Sequence, residues 1–449
     1  MIGDKNPVAF ADALPRAVDV AVIGAGIVGV TAAYFLAARG LRVLLCEKGR
    51  VAGEQSSRNW GWVRQQGRDW AELPIMIEAN RIWRGLAEET GEADLAFTPA
   101  GCLKLAESET AMAASERWHG LAQQHQLDTR LLTKAEVAAR FPQVEGRFLG
   151  GLETPSDGRA EPFVAVPALA RAAQRAGVAI VESCAVRSVD VGGGRLIGVV
   201  TEKGRVACQT AILAAGAWSA AFAANAGFAL PQLAVRSTAA RTEPAPDLLD
   251  GAGGTPNLST PNLTLRRRAD GGYTVATGDV SEHYIGPASF KYFAKFLPLL
   301  RKSARELRLR PWPPKDYPNA WAAARRWSPD EVSPFERERV LNPPPLTAVV
   351  RAIEERLPQR FPALKDVKLA EAWAGMIDVT PDAVPTLGED PALPGLYIAT
   401  GCSGHGFGIG PGIGRVMADL VTGGSPGHDL TRFRPQRFFD GSPIEPGPY

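Results

Sequence analysis

Apolar positions cluster near the two ends of this chain in short unbroken runs, and between them the pattern is mixed. Positions 17–23 (AVDVAVI), a β-branched-rich run, and 41–46 (LRVLLC), a second short apolar run, predict buried parallel strands. Between them, 27–39 has helical spacing and ends at Gly40, a stop signal, so the chain opens on a strand–helix–strand unit. Positions 73–90, 107–126 and 163–177 predict helices, the last with Pro162 just before its start. From Cys184 the pattern becomes short and alternating. Strands are predicted at 186–191 and 196–201 around a turn at 192–194, with a second turn at Lys203-Gly204, then a buried strand at 210–214. Residues 235–365 are rich in Pro, Arg and Trp, with loops around 311–318 and 343–345. The apolar style returns at 395–400 (GLYIAT), followed by a glycine-rich stretch over 401–414 and a helix over 415–421.

Length and composition narrow this picture. At 449 residues two domains are the natural prior, and 45% hydrophobic with 22% charged residues is ordinary globular composition. The net charge of +2 means that no global field recruits nucleic acid or anionic lipid. Basic clusters such as Arg266-Arg267-Arg268 and Arg325-Arg326 read first as solvated faces. The five cysteines are scattered without a C-x-x-C pair, which argues against a disulfide framework, a zinc site or a cysteine-held iron–sulfur cluster. The start has no signal-peptide pattern and no run of about 18 apolar residues occurs, so the expected location is the cytoplasm.

The first unit carries chemistry. Gly24-Ala25-Gly26-Ile27-Val28-Gly29 matches G-x-G-x-x-G: Gly24 for the turn off the strand, Gly26 for close approach of a pyrophosphate, Gly29 for helix–strand packing. Ile27 and Val28 begin a helix whose free N–H groups face the phosphates. Glu47, with Lys48 beside it, ends the second strand, where a carboxylate accepts bonds from ribose hydroxyls. These elements predict a dinucleotide site and leave FAD and NAD both open.

The far end resolves the choice. Gly401-Cys402-Ser403-Gly404-His405-Gly406-Phe407-Gly408 offers backbone N–H groups and a positive helix end to a flat ring, as a flavin's pyrimidine edge requires. The stretch GCSGHGFGIGPGIG resembles the C-terminal flavin loop of the D-amino-acid oxidase superfamily, in its sarcosine oxidase, glycine oxidase and D-amino-acid dehydrogenase branch. Four further matches follow in order. Gln55-Ser56-Ser57-Arg58-Asn59 resembles the segment along pyrophosphate and isoalloxazine, Val186 an adenine contact, Ala214-Ala215-Gly216-Ala217-Trp218-Ser219 the turn over adenosine, and Thr380-Pro381-Asp382 with Pro385 the loop before the last strand.

The resemblance implies an α/β chain with a discontinuous Rossmann-like FAD-binding domain (16–95, 150–235, 366–425). It also implies an α+β substrate domain on an antiparallel sheet (96–149, 236–365) and a tail at 426–449. It implies non-covalent FAD, since 300–400 hold no cysteine for attachment. The implied reaction is oxidation of a C–N bond by hydride transfer to flavin N5, giving an imine that hydrolyses. Substrate would be an amine or an N-substituted amino acid, and the acceptor oxygen or another oxidant. Arg64 is a candidate for a substrate carboxylate, Arg58 for the reduced flavin, and His405 accompanies the ring. Trp60, Trp62, Trp373 and Phe407 are candidate apolar walls, with plain core packing the alternative for each.

Two anchors of the family are missing. Gly408 stands where sarcosine oxidases carry lysine, and Ile377, before Asp378, where D-amino-acid dehydrogenases carry arginine. The run Trp373-Ala374-Gly375 resembles the amine-oxidising members instead, and Asp378 reads first as a turn residue. Two alternatives remain: the flavin subunit of a hetero-oligomeric amino-acid or opine dehydrogenase, and a nicotinamide-dependent dehydrogenase, which leaves 401–414 unexplained.

Overall fold

A computed structural model of the chain describes residues 1–95, 97–249 and 254–447. The apolar runs at the two ends build one sheet. Its order is Thr386–Glu389, Leu396–Thr400, Thr210–Leu213, Val20–Ile23, Val43–Cys46, Ala179–Val181, parallel throughout except for the Thr386–Glu389 edge. Parallel strands buried on both faces need continuous apolar sequence, and Val20–Ile23 and Val43–Cys46 are buried at every position. The alternating segment after Cys184 forms the antiparallel meander Val186–Gly192, Arg195–Thr201, Gly204–Ala207. The α/β expectation holds.

A ten-stranded mixed sheet forms the second layer. At its middle, Leu233–Thr242 pairs antiparallel with Leu369–Val379, with Val235 opposite Ile377 and Ser237 opposite Gly375. One face of this pair lies over the Gln55–Arg58 turn: a Cβ at Gly375 would meet Gln55 Oε1 at 1.8 Å. The Pro-, Arg- and Trp-rich region 235–365 contains a strand–helix–strand crossover, Ser281–Tyr284, Phe293–Ser303, Leu307–Arg310, with its two strands parallel. It also contains the helix Thr347–Arg360. Prolines at 298 and 358 lie inside these helices and hide them from a reading that takes proline as a stop.

One expectation is corrected. The final helix runs Gly406–Val421, through Pro411, and begins nine residues before 415. The glycines at 408–414 belong to this helix, where they let neighbours approach. A Cβ at Gly410 would sit 2.6 Å from Ile27, at Gly412 2.6 Å from the Ile75 carbonyl, and at Gly414 2.4 Å from Thr31 Oγ1. The bare backbone is gripped from both sides. Thr31 Oγ1 donates to the Gly410 carbonyl (3.0 Å) and Trp83 Nε1 to that of Gly408 (2.9 Å). Helix propensity disfavours these glycines by about 1 kcal/mol each, and the packing of Ile27–Ala38 and Glu72–Thr90 against them prevails.

Candidate active site

Strand Val20–Ile23 delivers the chain to Gly24, whose φ of +103° lies in the region that favours glycine. A Cβ at Gly29 would sit 1.9 Å from the Gly24 carbonyl, so helix and turn close on each other. Gly26 differs: its Cβ direction meets only Ser56 Oγ, at 3.0 Å, and otherwise opens into a groove. That Ser56 hydroxyl accepts from Ile27 N–H at 2.8 Å, tying the helix start to the Gln55–Arg58 turn. Glu47 follows its strand into the same groove. Its Oε2 accepts from Ala25 N–H and Oε1 from Gly49 N–H, both at 2.8 Å, while burial pushes its pKa up.

The groove, about 1200 Å³, is continuous from Glu47 and Val186 to Phe407. It brings together Gly24, Gly26, Ile27, Val28, Glu47, Lys48, Ser56, Asn59, Val186, Ala215, Gly216, Trp218, Gly404, Gly406 and Phe407. Lys48 is already engaged: its ammonium bonds Glu54 (2.7 Å) and the carbonyls of Glu338 and Arg339, 4.6 Å from the Trp218 ring centroid. Phe335, Arg339 and Val340 close the wall opposite, and no motif announces them. Arg339 is oriented by Glu202, with two bonds of 2.7 Å.

Ser57, Arg58, Gly375 and Gly408 lie behind the groove. Buried Arg58 donates to the carbonyls of Ala374 and Gly53, both at 3.1 Å, and so straps the turn to strand Leu369–Val379. Trp373 donates from Nε1 to the Arg58 carbonyl (2.8 Å) and packs with Ala239, Ala276 and Trp60, away from both cavities. Asp378 is not in a turn but in strand Leu369–Val379, at the wall of the groove; its Oδ2 accepts from Gly401 N–H (2.7 Å) and Cys402 N–H (3.2 Å), which shapes the loop that enters the final helix. The Thr380-Pro381-Asp382 loop is locked from the C-terminal side, where Arg437 makes two bonds of 2.8 and 3.0 Å to buried Asp382.

His405 stands at the junction. Its carbonyl accepts from Arg68 (3.0 Å), whose guanidinium also faces Glu72 at 3.5 Å. Burial, and then the positive charges of Arg68 and Arg64, hold the imidazole well below its usual pKa, so it is neutral. Arg64 bonds the Gln66 carbonyl and lies 5.9 Å from the Trp62 ring centroid.

On the other side of His405 opens a second chamber of about 1360 Å³, walled by Leu233, Val235, Ile285, Phe293, Phe296 and Val379. The loop lies between the two, since Ser403 and His405 line the chamber while Cys402, Gly404 and Gly406 line the groove. The polar residue that sequence reasoning missed there is His283. Its Nδ1 contacts the Ala234 carbonyl (2.9 Å) and its Nε2 Ser289 Oγ (2.8 Å). A carbonyl only accepts, so the proton sits on Nδ1 and Ser289 donates to Nε2. Burial lowers this pKa as well. Lone histidines in a Trp- and Pro-rich segment carry no spacing signal, so nothing in the sequence marks it.

The groove fits FAD. It is long enough to join two glycine sites, and donors from two helix starts face it. At Gly26 a side chain would fill the cradle. Among the described residues no group of His, Cys, Asp and Glu is placed to hold a metal ion.

Comparison with known proteins agrees with this geometry. The family described as DAO, FAD dependent oxidoreductase, matches residues 19–420. The chain is 28% identical to 4-methylaminobutanoate oxidase (formaldehyde-forming) of Paenarthrobacter nicotinovorans over 95% of its own length and 46% of that protein. It therefore spans about half of that relative. It is 26% identical to sarcosine oxidase subunit beta of Rhodobacter capsulatus, with 94% of this chain and 90% of that one covered. Among solved structures, L-amino acid deaminase from Proteus myxofaciens in complex with anthranilate superposes with a TM-score of 0.90 at 31% identity, covering 98% of this chain and 100% of that one.

Proposed function

The chain belongs to the DAO family of FAD dependent oxidoreductases, and from that premise we propose that it oxidises the C–N bond of an amino acid or amine bearing a sizeable apolar substituent. The observation that carries this reading is an apolar chamber on the far side of the loop that lines the FAD groove, with Ser403 and His405 turned to the chamber and Gly404 to the groove. Bound in the groove, FAD supplies the two-electron acceptor. The substrate loses two electrons and two protons to become an imine, and water then splits the imine to a carbonyl compound and the released nitrogen.

The protein's contribution is placement and field. The apolar chamber holds the substituent and keeps water out, and Arg64 and Arg68 beside His405 disfavour a second positive charge nearby. A substrate amine is thereby held neutral, the form that can be oxidised, and neutral His405 leaves that field intact. Arg64 is the candidate partner for a carboxylate. The related deaminase, seen with anthranilate, supports an acid with an aromatic body. Cys402 lines the groove, but burial raises its thiol well above the ordinary range, which supports non-covalent FAD.

Anaerobic mixing of the holoenzyme with leucine, phenylalanine, N-methyl amino acids and simple amines tests the proposal. Bleaching of the visible flavin band by apolar members is expected. If glycine and sarcosine bleach it as fast as phenylalanine, the chamber is not the substituent site. Resemblance to a subunit beta favours a second reading, a flavin subunit handing electrons to a partner chain. Fast dye reduction with slow oxygen uptake would select it.

A further inference from the structure

Residues 286–328 contain ten lysines and arginines against two acids, Glu306 and Asp316, although the whole chain nets only +2. Positive charge is therefore concentrated along this segment, and the remainder of the chain is acidic overall. Arg310 is paired with Glu282, and Lys295, Lys302 and Arg326 bond the carbonyls of Phe438, Gly447 and Asn225, which leaves six cations of the segment without these ties. The same segment is unusually bare. Phe290 is 66% exposed, Phe293 56%, Trp312 76% and Trp321 45%, four of the six exposed aromatic rings among the described residues. A fifth, Phe439, lies 4.8 Å under Lys295 of this segment. Two of the rings are neighbours, Phe290 and Trp321 at 6.0 Å, and Phe290, Phe293 and exposed Leu309 line the second chamber.

Single exposed apolar residues need no explanation, but four exposed rings within 32 residues, two of them lining a chamber, do. Its composition points to the occupant. Tryptophan and phenylalanine interleaved with lysine and arginine suit a lipid interface: rings settle at headgroup level and cations reach phosphate. Protein interfaces also gather aromatic rings and arginine but are depleted in lysine, and four of the ten cations here are lysines, which favours a headgroup layer. No helix among the described residues is long and apolar enough to cross a membrane, so contact here is peripheral.

We propose that this face docks the protein on an anionic lipid surface, with the chamber mouth turned toward the bilayer. The inference does not depend on which substrate is oxidised, because it is read by binding alone. Holoenzyme is sedimented with phosphatidylcholine vesicles with and without phosphatidylglycerol. Partition into the anionic vesicles is expected to be at least about tenfold stronger and to weaken in high salt. Trp312→Ser with Trp321→Ser should reduce it by about tenfold, and Arg308→Glu with Lys315→Glu should remove the anionic preference. An unchanged visible flavin spectrum and melting curve show that each variant is folded. Three results overturn the proposal: holoenzyme that stays free of both vesicles, binding that both variants leave unchanged, or a lipid-free dimer that Trp312→Ser with Trp321→Ser dissolves. The last would assign the face to a second copy of the chain.

Discussion

The two glycine-rich stretches look alike in sequence and work differently. At Gly24–Gly29 the glycines serve a turn and an approach: Gly24 holds a positive φ, and Gly26 opens toward the groove. At 408–414 each glycine is pressed by a neighbour, and Gly410 and Gly414 face Ile27 and Thr31 of the helix that the first stretch opens. One stretch makes room for a ligand and the other makes room for a helix. Their contact holds the ADP end and the ring end of the groove in fixed relation. Glycine content alone therefore does not say what the absent side chain is making way for.

This contrast can be broken by substitution. Gly414→Val should have the largest effect. Its side chain would enter Thr31 and the Ala32 backbone, overpacking that typically costs about 1–3 kcal/mol or more, with FAD lost only because the fold is lost. A melting curve of the apoprotein checks it, and an unchanged curve would refute the packing role. Gly26→Ala should do the reverse, leaving the apoprotein's melting almost unchanged while FAD affinity falls by at least about tenfold, or 1.4 kcal/mol. Flavin fluorescence titration measures it, and full affinity would mean that the pyrophosphate does not pass Gly26.

Glu47→Gln probes the same end more gently. It keeps the shape and one acceptor for backbone N–H but removes charge-assisted bonds to ribose, for an expected loss of up to about tenfold in FAD affinity. The smallest effect is a pH slope at the other end. His405 has a folded-state pKa below its unfolded value near 6.5, so below that pH the unfolded chain binds more protons and stability falls as pH falls. Urea midpoints of the apoprotein at pH 7 and pH 5.5 should therefore differ less in His405→Asn than in the wild type. Equal slopes in the two proteins would place the imidazole in a solvated setting.

What could be read in advance was whatever is built from neighbours in the chain. The turn at Gly24, the helix it opens and Glu47 after the second strand lie within two dozen residues, and local spacing states their job. The start of the last helix was misread because glycine and proline disfavour helix locally, and only Thr31, Ile75 and Trp83 supply the reason they are tolerated. His283, Arg339 and Arg437 were invisible because each gains meaning from a partner far along the chain: Ala234, Glu202 and Asp382 respectively. Trp373 and Arg58 were visible as residues, but their directions were not: a strand shows alternate side chains to opposite faces, and Arg58 is aimed by the distant Ala374 carbonyl.

The sequence by itself determined that this chain folds around a dinucleotide and that the dinucleotide is FAD, because both signals rest on short-range backbone demands. The tertiary structure alone decided which residues face the cofactor, where the apolar chamber opens beside it, and that exposed Phe290 and Phe293 line that chamber. Those properties arise when distant segments are brought to one place, and burial and electrostatics are set by that place, not by order along the chain.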